Sequence, residues 1–324
     1  MPLDPHASRF LRMLAAGGFP TASEIDPSAM RAAFVRLARA VDAQQVPIGG
    51  VENRSISGPL GPLAIRIYSP VEPNGGRLPG LLYFHGGAWV FCNLDTHDGL
   101  CRMLANESGC RVVAVGYRQA PEHKLPAAID ESYAAATWLA AHASELGIDP
   151  QRIAIGGDSA GGTLAALVCQ LARQKCGPKH ALQVLLCPKT DLGADTLSRR
   201  QFAKGYFFDQ ATLEWALRHA CPPDFELTDP RFSPLRARDF SGQPPAEIHT
   251  AEFDPLRDEG KAYAERLAQA GVRVRYTCHS GMIHHFYGMA GIIPYARTAL
   301  KNMGSAIREA LAEPQLGREL AGGL

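Results

Sequence analysis

Ile153-Ala-Ile-Gly-Gly-Asp-Ser-Ala-Gly-Gly-Thr-Leu164 is the stretch on which the fold turns. Arg152 to Ile155 is a short strand-like run, and Thr163 to Ala172 is an apolar run with the length of a helix. Between them stands Gly157-Asp158-Ser159-Ala160-Gly161, a G-x-S-x-G in the strand-to-helix setting that a nucleophile elbow requires. So sharp a turn strains the serine backbone. Small neighbours are needed because a β-carbon at either glycine would strike the adjoining strand or helix. The hydroxyl then stands at a helix N-terminus, where the dipole and free N–H groups favour developing negative charge. In a chain with 32 glycines the pattern alone also fits a passive Gly-rich turn, so its partners decide.

Composition narrows the setting. The 324 residues suffice for a large core in one or two domains, and 46% hydrophobic with 20% charged residues is ordinary for a globular chain. A net charge of +1 points to neither nucleic acid nor an anionic membrane as partner. Eight cysteines lie scattered without C-x-x-C spacing, which argues against a zinc site and for buried free thiols. Met13-Leu-Ala-Ala16 is too short for a signal-peptide core, and no apolar run reaches the roughly 18 residues of a membrane span. A reducing cytoplasm is the expected location.

Outward from the elbow, strands and helices alternate. Ile48–Ser57 and Leu63–Tyr68 read as an antiparallel hairpin around Gly58-Pro-Leu-Gly-Pro62, and Pro73–Gly76 as a loop. Strands are predicted at Gly80–His85, Arg111–Val115, Arg152–Ile155, Leu182–Cys187, Glu247–Ala251 and Val272–Cys278. Helices are predicted at Asp95–Ser108, Pro126–Ala143, after the elbow, at Asp258–Ala270 and at Pro294–Leu311, with a frayed tail after Glu313. Such alternation implies a mostly parallel sheet covered on both faces. Two segments break it. Residues 1–45 read as helical, with Asp26-Pro27 as a helix start and Met30, Phe34, Leu37, Ala38 and Val41 at helical spacing. Residues 190–240 are irregular. Both are expected to cap the C-terminal edge of a core made of 46–189 and 241–324, where ligands of open α/β sheets bind.

A serine hydroxyl needs a base, and the base needs a carboxylate to hold its tautomer. In sheets of this kind they follow later strands in the order Ser, Asp, His. One strand runs into Glu252-Phe-Asp254-Pro-Leu-Arg-Asp258 and the next into His279-Ser-Gly-Met-Ile-His284-His285. Asp254 competes with Glu252 and Asp258, and His284 with His279 and His285. Oxyanion donors are expected from the amides of Gly86 and Gly87 in His85-Gly-Gly-Ala-Trp89 and from Ala160.

Taken together, His85–Trp89, Tyr117-Arg-Gln-Ala-Pro-Glu122, Gly157–Gly162, Asp254-Pro-Leu-Arg-Asp-Glu259 and Gly281-Met-Ile-His284 resemble the bacterial hormone-sensitive-lipase family of esterases, in family order over about residues 45–310. The resemblance implies an α/β-hydrolase fold with an eight-stranded sheet and a helical cap. It implies hydrolysis of short- to medium-chain carboxylic esters without cofactor or metal. It assigns the nucleophile to Ser159, the acid to Asp254 and the base to His284, and gives Tyr117–Glu122 and Asp130 a bracing role. Two departures stand out: Ala88 where the family usually has a third glycine, and His285 where glycine is usual. The methyl of Ala88 is expected only to narrow the pocket. His285 is expected to face solvent, with a contact to the leaving group as the alternative.

Candidate substrate contacts are Asp158, His285 and the aromatics Trp89, Tyr206, Phe207 and Trp215, although the aromatics fit a cap core equally well. Other acyl hydrolases (a deacetylase, amidase or lactonase), a true lipase and a non-catalytic receptor are the competing functions. The edge strand Val272–Tyr276 is a candidate homodimer contact.

Overall fold

Short apolar runs separated by helices have one stable arrangement, a sheet buried on both faces. A computed structural model describes residues 1–17, 25–71 and 76–312. Its strands are β1 (Gly50–Gly58), β2 (Gly61–Ser69), β3 (Leu78–Phe84), β4 (Arg111–Gly116), β5 (Ile148–Asp158), β6 (Leu182–Leu186), β7 (Ala246–Phe253) and β8 (Val274–Ile283). They form one eight-stranded sheet in the order β1-β2-β4-β3-β5-β6-β7-β8. Only the β1–β2 hairpin and the β2–β4 pair are antiparallel. The expected loop at 73–76, apart from Gly76, and the tail after Glu313 lie outside the described residues.

Helices cover both faces. α4 (Ala127–His142), α5 (Ala160–Gln174) and α8 (Arg257–Gln269) pack on one, α3 (Asp98–Ser108) and α9 (Pro294–Ala310) on the other. Alternate residues of β3 serve the two cores: Leu82 and Phe84 enter the first, Leu81 and Tyr83 the second.

The segments outside the alternation are short helices anchored by polar contacts. α1 (Pro5–Ala16) and α2 (Pro27–Val41) each start with Asp-Pro, and Asp4 and Asp26 accept hydrogen bonds from the free amides of the first turn. Residues 190–240 hold α6 (Leu197–Gln201) and α7 (Gln210–Ala220). The buried Glu259 carboxylate of α8 ties down the start of that segment, accepting from Thr190 N at 2.8 Å and Arg199 Nη2 at 2.7 Å. All eight cysteines are unpaired thiols, and among the described residues no helix is long and apolar enough to cross a membrane.

Several imidazoles are held neutral. Burial, helped by neighbouring histidines, pushes His85 and His249 down to about 3, and burial alone pushes His180 and His279 down to about 4, from the ordinary 6.5. Unfolding lets these rings take up protons, so stability falls as pH drops below the unfolded value. Asp42, which burial pushes up to about 6, and Glu247, which burial also raises, act in the opposite sense but are outnumbered by the four imidazoles. The melting temperature is expected to decline steadily between about pH 6.5 and pH 4 in scanning calorimetry. A flat profile would mean that these rings are charged in the folded protein.

Candidate active site

Ser159 follows β5 directly and precedes α5, at φ 52° and ψ −118°, a conformation that strains any residue with a β-carbon. Close approach dictates the flanking glycines. A β-carbon on Gly161 would lie 1.9 Å from Phe84 O, and one on Gly157 2.5 Å from the same oxygen. The first turn of α5 therefore rests on the end of β3, and the hydroxyl is left at the C-terminal edge of the sheet.

His284, in the turn after β8, places Nε2 3.1 Å from Ser159 Oγ and Nδ1 2.8 Å from Asp254 Oδ2, after β7. Asp254 is fully buried, and its other oxygen accepts from Leu256 N at 2.8 Å, so the carboxylate is fixed. Phe208 stacks on the imidazole with ring centroids 4.7 Å apart. The neighbouring candidates are engaged elsewhere. Glu252 binds the N-terminal ammonium and Gly281 N, Asp258 accepts from Ser198 N, and His279 contacts His249 and Tyr295.

Ser159 and His284 open into a cavity of about 450 Å³. Its walls come from Leu11 and Leu14 of α1, Met30 and Phe34 of α2, Gly87, Ala88 and Phe91 after β3, and Phe207 and Phe208 before α7. The expected aromatic lining needs correction. Phe207 borders the cavity, whereas Trp89, Tyr206 and Trp215 do not. Trp89 is buried in the core, Tyr206 stacks on Phe253, and Trp215 packs near Phe91 and donates Nε1–H to Ile25 O at 3.0 Å.

Gly86 also differs from expectation. Its N–H is taken, donating to Asp158 Oδ1 at 3.0 Å, so it is not free for an oxyanion. Gly87 and Ala88, one residue further on, face the cavity instead, both at positive φ. Ala160 is the first residue of α5, where an amide has no helical partner.

Asp158, expected to touch substrate, borders the cavity but spends its hydrogen bonds on the protein. It accepts from Tyr83 Oη at 2.8 Å as well as Gly86 N, and its Oδ2 lies 3.2 Å from His97 Nε2 and 3.1 Å from His285 Nδ1. Burial alone would raise its pKa, but the two imidazoles hold the carboxyl well below the usual range. His285 therefore does not face solvent as expected; it turns inward to this carboxylate and is only 20% exposed. Burial pushes its pKa down, and Asp158 opposes that shift.

The bracing block is in place except for one member. Tyr117 donates to His85 O at 2.8 Å, and Glu122 accepts from Arg31 of α2 at 2.6 Å. Asp130 is exposed; its neighbour Glu131 is the buried brace, accepting from Arg118 N at 2.7 Å. His97 and Tyr83 carried no motif, and only a buried acid beside the serine could have pointed to them.

A serine on a strained strand-to-helix turn, facing a carboxylate-backed imidazole at the edge of a mostly parallel eight-stranded sheet, defines an α/β-hydrolase. The alpha/beta hydrolase fold family matches residues 81–288. The chain is 40% identical over 293 residues to the carboxylic ester hydrolase LipN of Mycobacterium tuberculosis, covering 89% of this chain and 77% of that one. It is 41% identical over 251 residues to the ethyl acetate hydrolase of Pseudomonas putida, covering 77% and 79%. The hyperthermophilic esterase of the archaeon Pyrobaculum calidifontis superposes with a TM-score of 0.91 at 38% identity, over 96% of this chain and 100% of that one. The chain belongs to the hormone-sensitive-lipase family of α/β-hydrolases.

The buried carboxylate of Asp158 gives a direct test of the site's architecture. Asp158→Ala leaves His97, Tyr83 and the Gly86 amide without their partner and is expected to cost about 3–5 kcal/mol in urea unfolding at neutral pH. A cost below about 1 kcal/mol would mean that the network does not hold the loop.

Proposed function

We propose that the chain hydrolyses short- to medium-chain carboxylic esters through an acyl-enzyme on Ser159. The chain is a carboxylic ester hydrolase, as its relatives at about 40% identity are. The observation that carries the mechanism is the continuous row from Ser159 Oγ through both nitrogens of His284 to Asp254, opening on an apolar cavity.

In this reading Ser159 Oγ attacks the ester carbonyl while His284 Nε2 takes its proton. Asp254 accepts from Nδ1–H, keeps the productive tautomer and stabilises the imidazolium. The amides of Gly87 and Ala88, with Ala160, receive the oxyanion; each such donor lowers the barrier by roughly 3 kcal/mol. His284 protonates the departing alkoxide. It then deprotonates a water that attacks the acyl group and releases the acid. Residues 1–45 and 190–240 act as the cap, and their apolar side chains select the acyl or alcohol portion. The cavity lies within the roughly 300–1,000 Å³ of small-molecule sites, which favours compact esters over long lipids.

The test is a p-nitrophenyl ester series from acetate to palmitate. Turnover is expected to be highest on short chains and to fall on the order of 10⁶-fold in Ser159→Ala. An undiminished rate in Ser159→Ala would remove the serine from the mechanism, and a palmitate optimum would refute the short-chain reading.

We further propose that β8 pairs with a second copy of the chain. β8 is an edge strand, and the N-terminal segment covers only its far end, where Asp4 N donates to Gly281 O at 3.0 Å. Val274 to Cys278 keeps an unpaired side, as a two-fold strand contact requires. Light scattering at micromolar concentration is expected to give twice the 34.9 kDa chain mass; a monomer mass rejects the contact.

A further inference from the structure

Among the described residues two groups of three ligand-type side chains converge: Cys187 with Asp254 and His284, and His97 with Asp158 and His285. The first shares its carboxylate and imidazole with the Ser159 row. Its third member is a thiol that burial and the adjacent Asp254 carboxylate push well above its ordinary pKa, which makes it a poor source of thiolate. The second group contains no member of that row, and the proposed chemistry gives it no proton to carry.

The second group is arranged as a metal site is. The Asp158 carboxylate is engaged through both oxygens, and His97 Nε2 stands between them, 3.1 Å from Oδ1 and 3.2 Å from Oδ2. Oδ1 is held by Tyr83 Oη at 2.8 Å and Gly86 N at 3.0 Å. Oδ2 faces His97 Nε2 at 3.2 Å and His285 Nδ1 at 3.1 Å. The three ligand atoms all lie within 4.8 Å of one another, and donors around a tetrahedral zinc ion stand about 3.3 Å apart.

The outer partners that a metal ligand needs are also present. His97 Nδ1 is 2.9 Å from Thr96 Oγ1, and that hydroxyl donates its own proton to Asn93 O at 2.8 Å. Thr96 is therefore an acceptor for Nδ1–H, which leaves Nε2 as the ligating atom, held at present only by a long 3.3 Å contact from the Gly86 amide and by Asp158. Asp158 and His285 border the cavity, so an ion can enter and keep an open position. Two imidazoles and a carboxylate suit zinc, cobalt or copper rather than calcium or magnesium.

We propose that His97, Asp158 and His285 form an inhibitory site for a divalent transition-metal ion such as Zn²⁺. On binding, the ion takes the place of the His285 Nδ1 proton at Oδ2, and that proton moves to His285 Nε2, while His97 keeps its proton on Nδ1. Asp158 and His285 line the same cavity as Ser159 and His284, so an ion held there stands in the space that the ester must enter. Binding is independent of the esterase reading; inhibition rests on it.

Cobalt titration of the whole chain reads binding without turnover. One Co²⁺ per chain is expected, with d–d bands of four- or five-fold coordination, no thiolate charge-transfer band, and displacement by Zn²⁺. His285→Gly suits the local backbone, because His285 has φ 59°, and is expected to weaken binding at least about 100-fold. Tyr83→Phe removes only an outer hydrogen bond and is expected to weaken it about tenfold. In the ester assay, Zn²⁺ inhibits the wild type, chelator restores the rate, and His285→Gly is insensitive. No Co²⁺ bound at millimolar concentration, or affinity unchanged in His285→Gly, overturns the site. A thiolate band lost in Cys187→Ser would move the ion to the other group. Binding without inhibition overturns the inhibitory role while leaving the site.

Discussion

The whole active edge depends on one close approach: the first turn of α5 lies against the carbonyl of Phe84 at the end of β3. No β-carbon fits at Gly157 or Gly161, so the backbone between them is forced through φ 52° at Ser159. That strain has a cost, and the two cores on the faces of the sheet offset it by fixing β3, β5 and α5 as one unit. A looser packing would relieve the serine and withdraw its hydroxyl from the cavity.

Asp158 carries this constraint outward. It sits beside the serine, so the elbow fixes its position too. From there it holds the Gly86 amide in the loop after β3 and the His285 ring in the turn after β8. One carboxylate thus relates the loop that presents Gly87 and Ala88 to the turn that presents His284. Asp254 does the corresponding work on the other side of the imidazole, anchored by Leu256 N. The serine, the amides and the base come from separate strand ends, and fixed carboxylates, rather than chain continuity, keep them in register.

The sheet was legible because its signals are local. Apolar runs such as Gly80–His85 and the hairpin around Gly58 and Gly61 carry their own period and turn residues, and they appear within a few residues of where they were expected. Ser159, Asp254 and His284 were singled out because each lies in a motif at a strand end, and the structure brings the three within hydrogen-bond distance. The Gly86 amide was expected to be free but is spent on Asp158, because a glycine-rich loop does not reveal which amide is already engaged. Asp130 was expected to brace a loop, yet its neighbour Glu131 is the buried one: adjacent acids on a helix differ in the direction they face, which the sequence does not show. His285 was expected outside because a loop histidine carries no sign of the buried acid that turns it inward. His97 and Asp158 are 61 positions apart, and no spacing rule links them.

The cavity walls come from α1, α2, the loop after β3 and the segment before α7, and the outer elements are held by polar contacts such as Arg31 to Glu122 and Arg199 to Glu259. Trp215 shows the consequence. It was a candidate substrate contact, yet its indole N–H is consumed by Ile25 O, and it ties α7 to the chain just before α2. The bulk of the pocket falls instead to Phe207 and Phe208, which carry no polar handle and are free to face the cavity. The indole with a backbone acceptor in reach becomes structure, but Phe202, Phe232 and Phe240 are buried as well, so it is place in the chain, just before α7, that leaves Phe207 and Phe208 on the cavity wall.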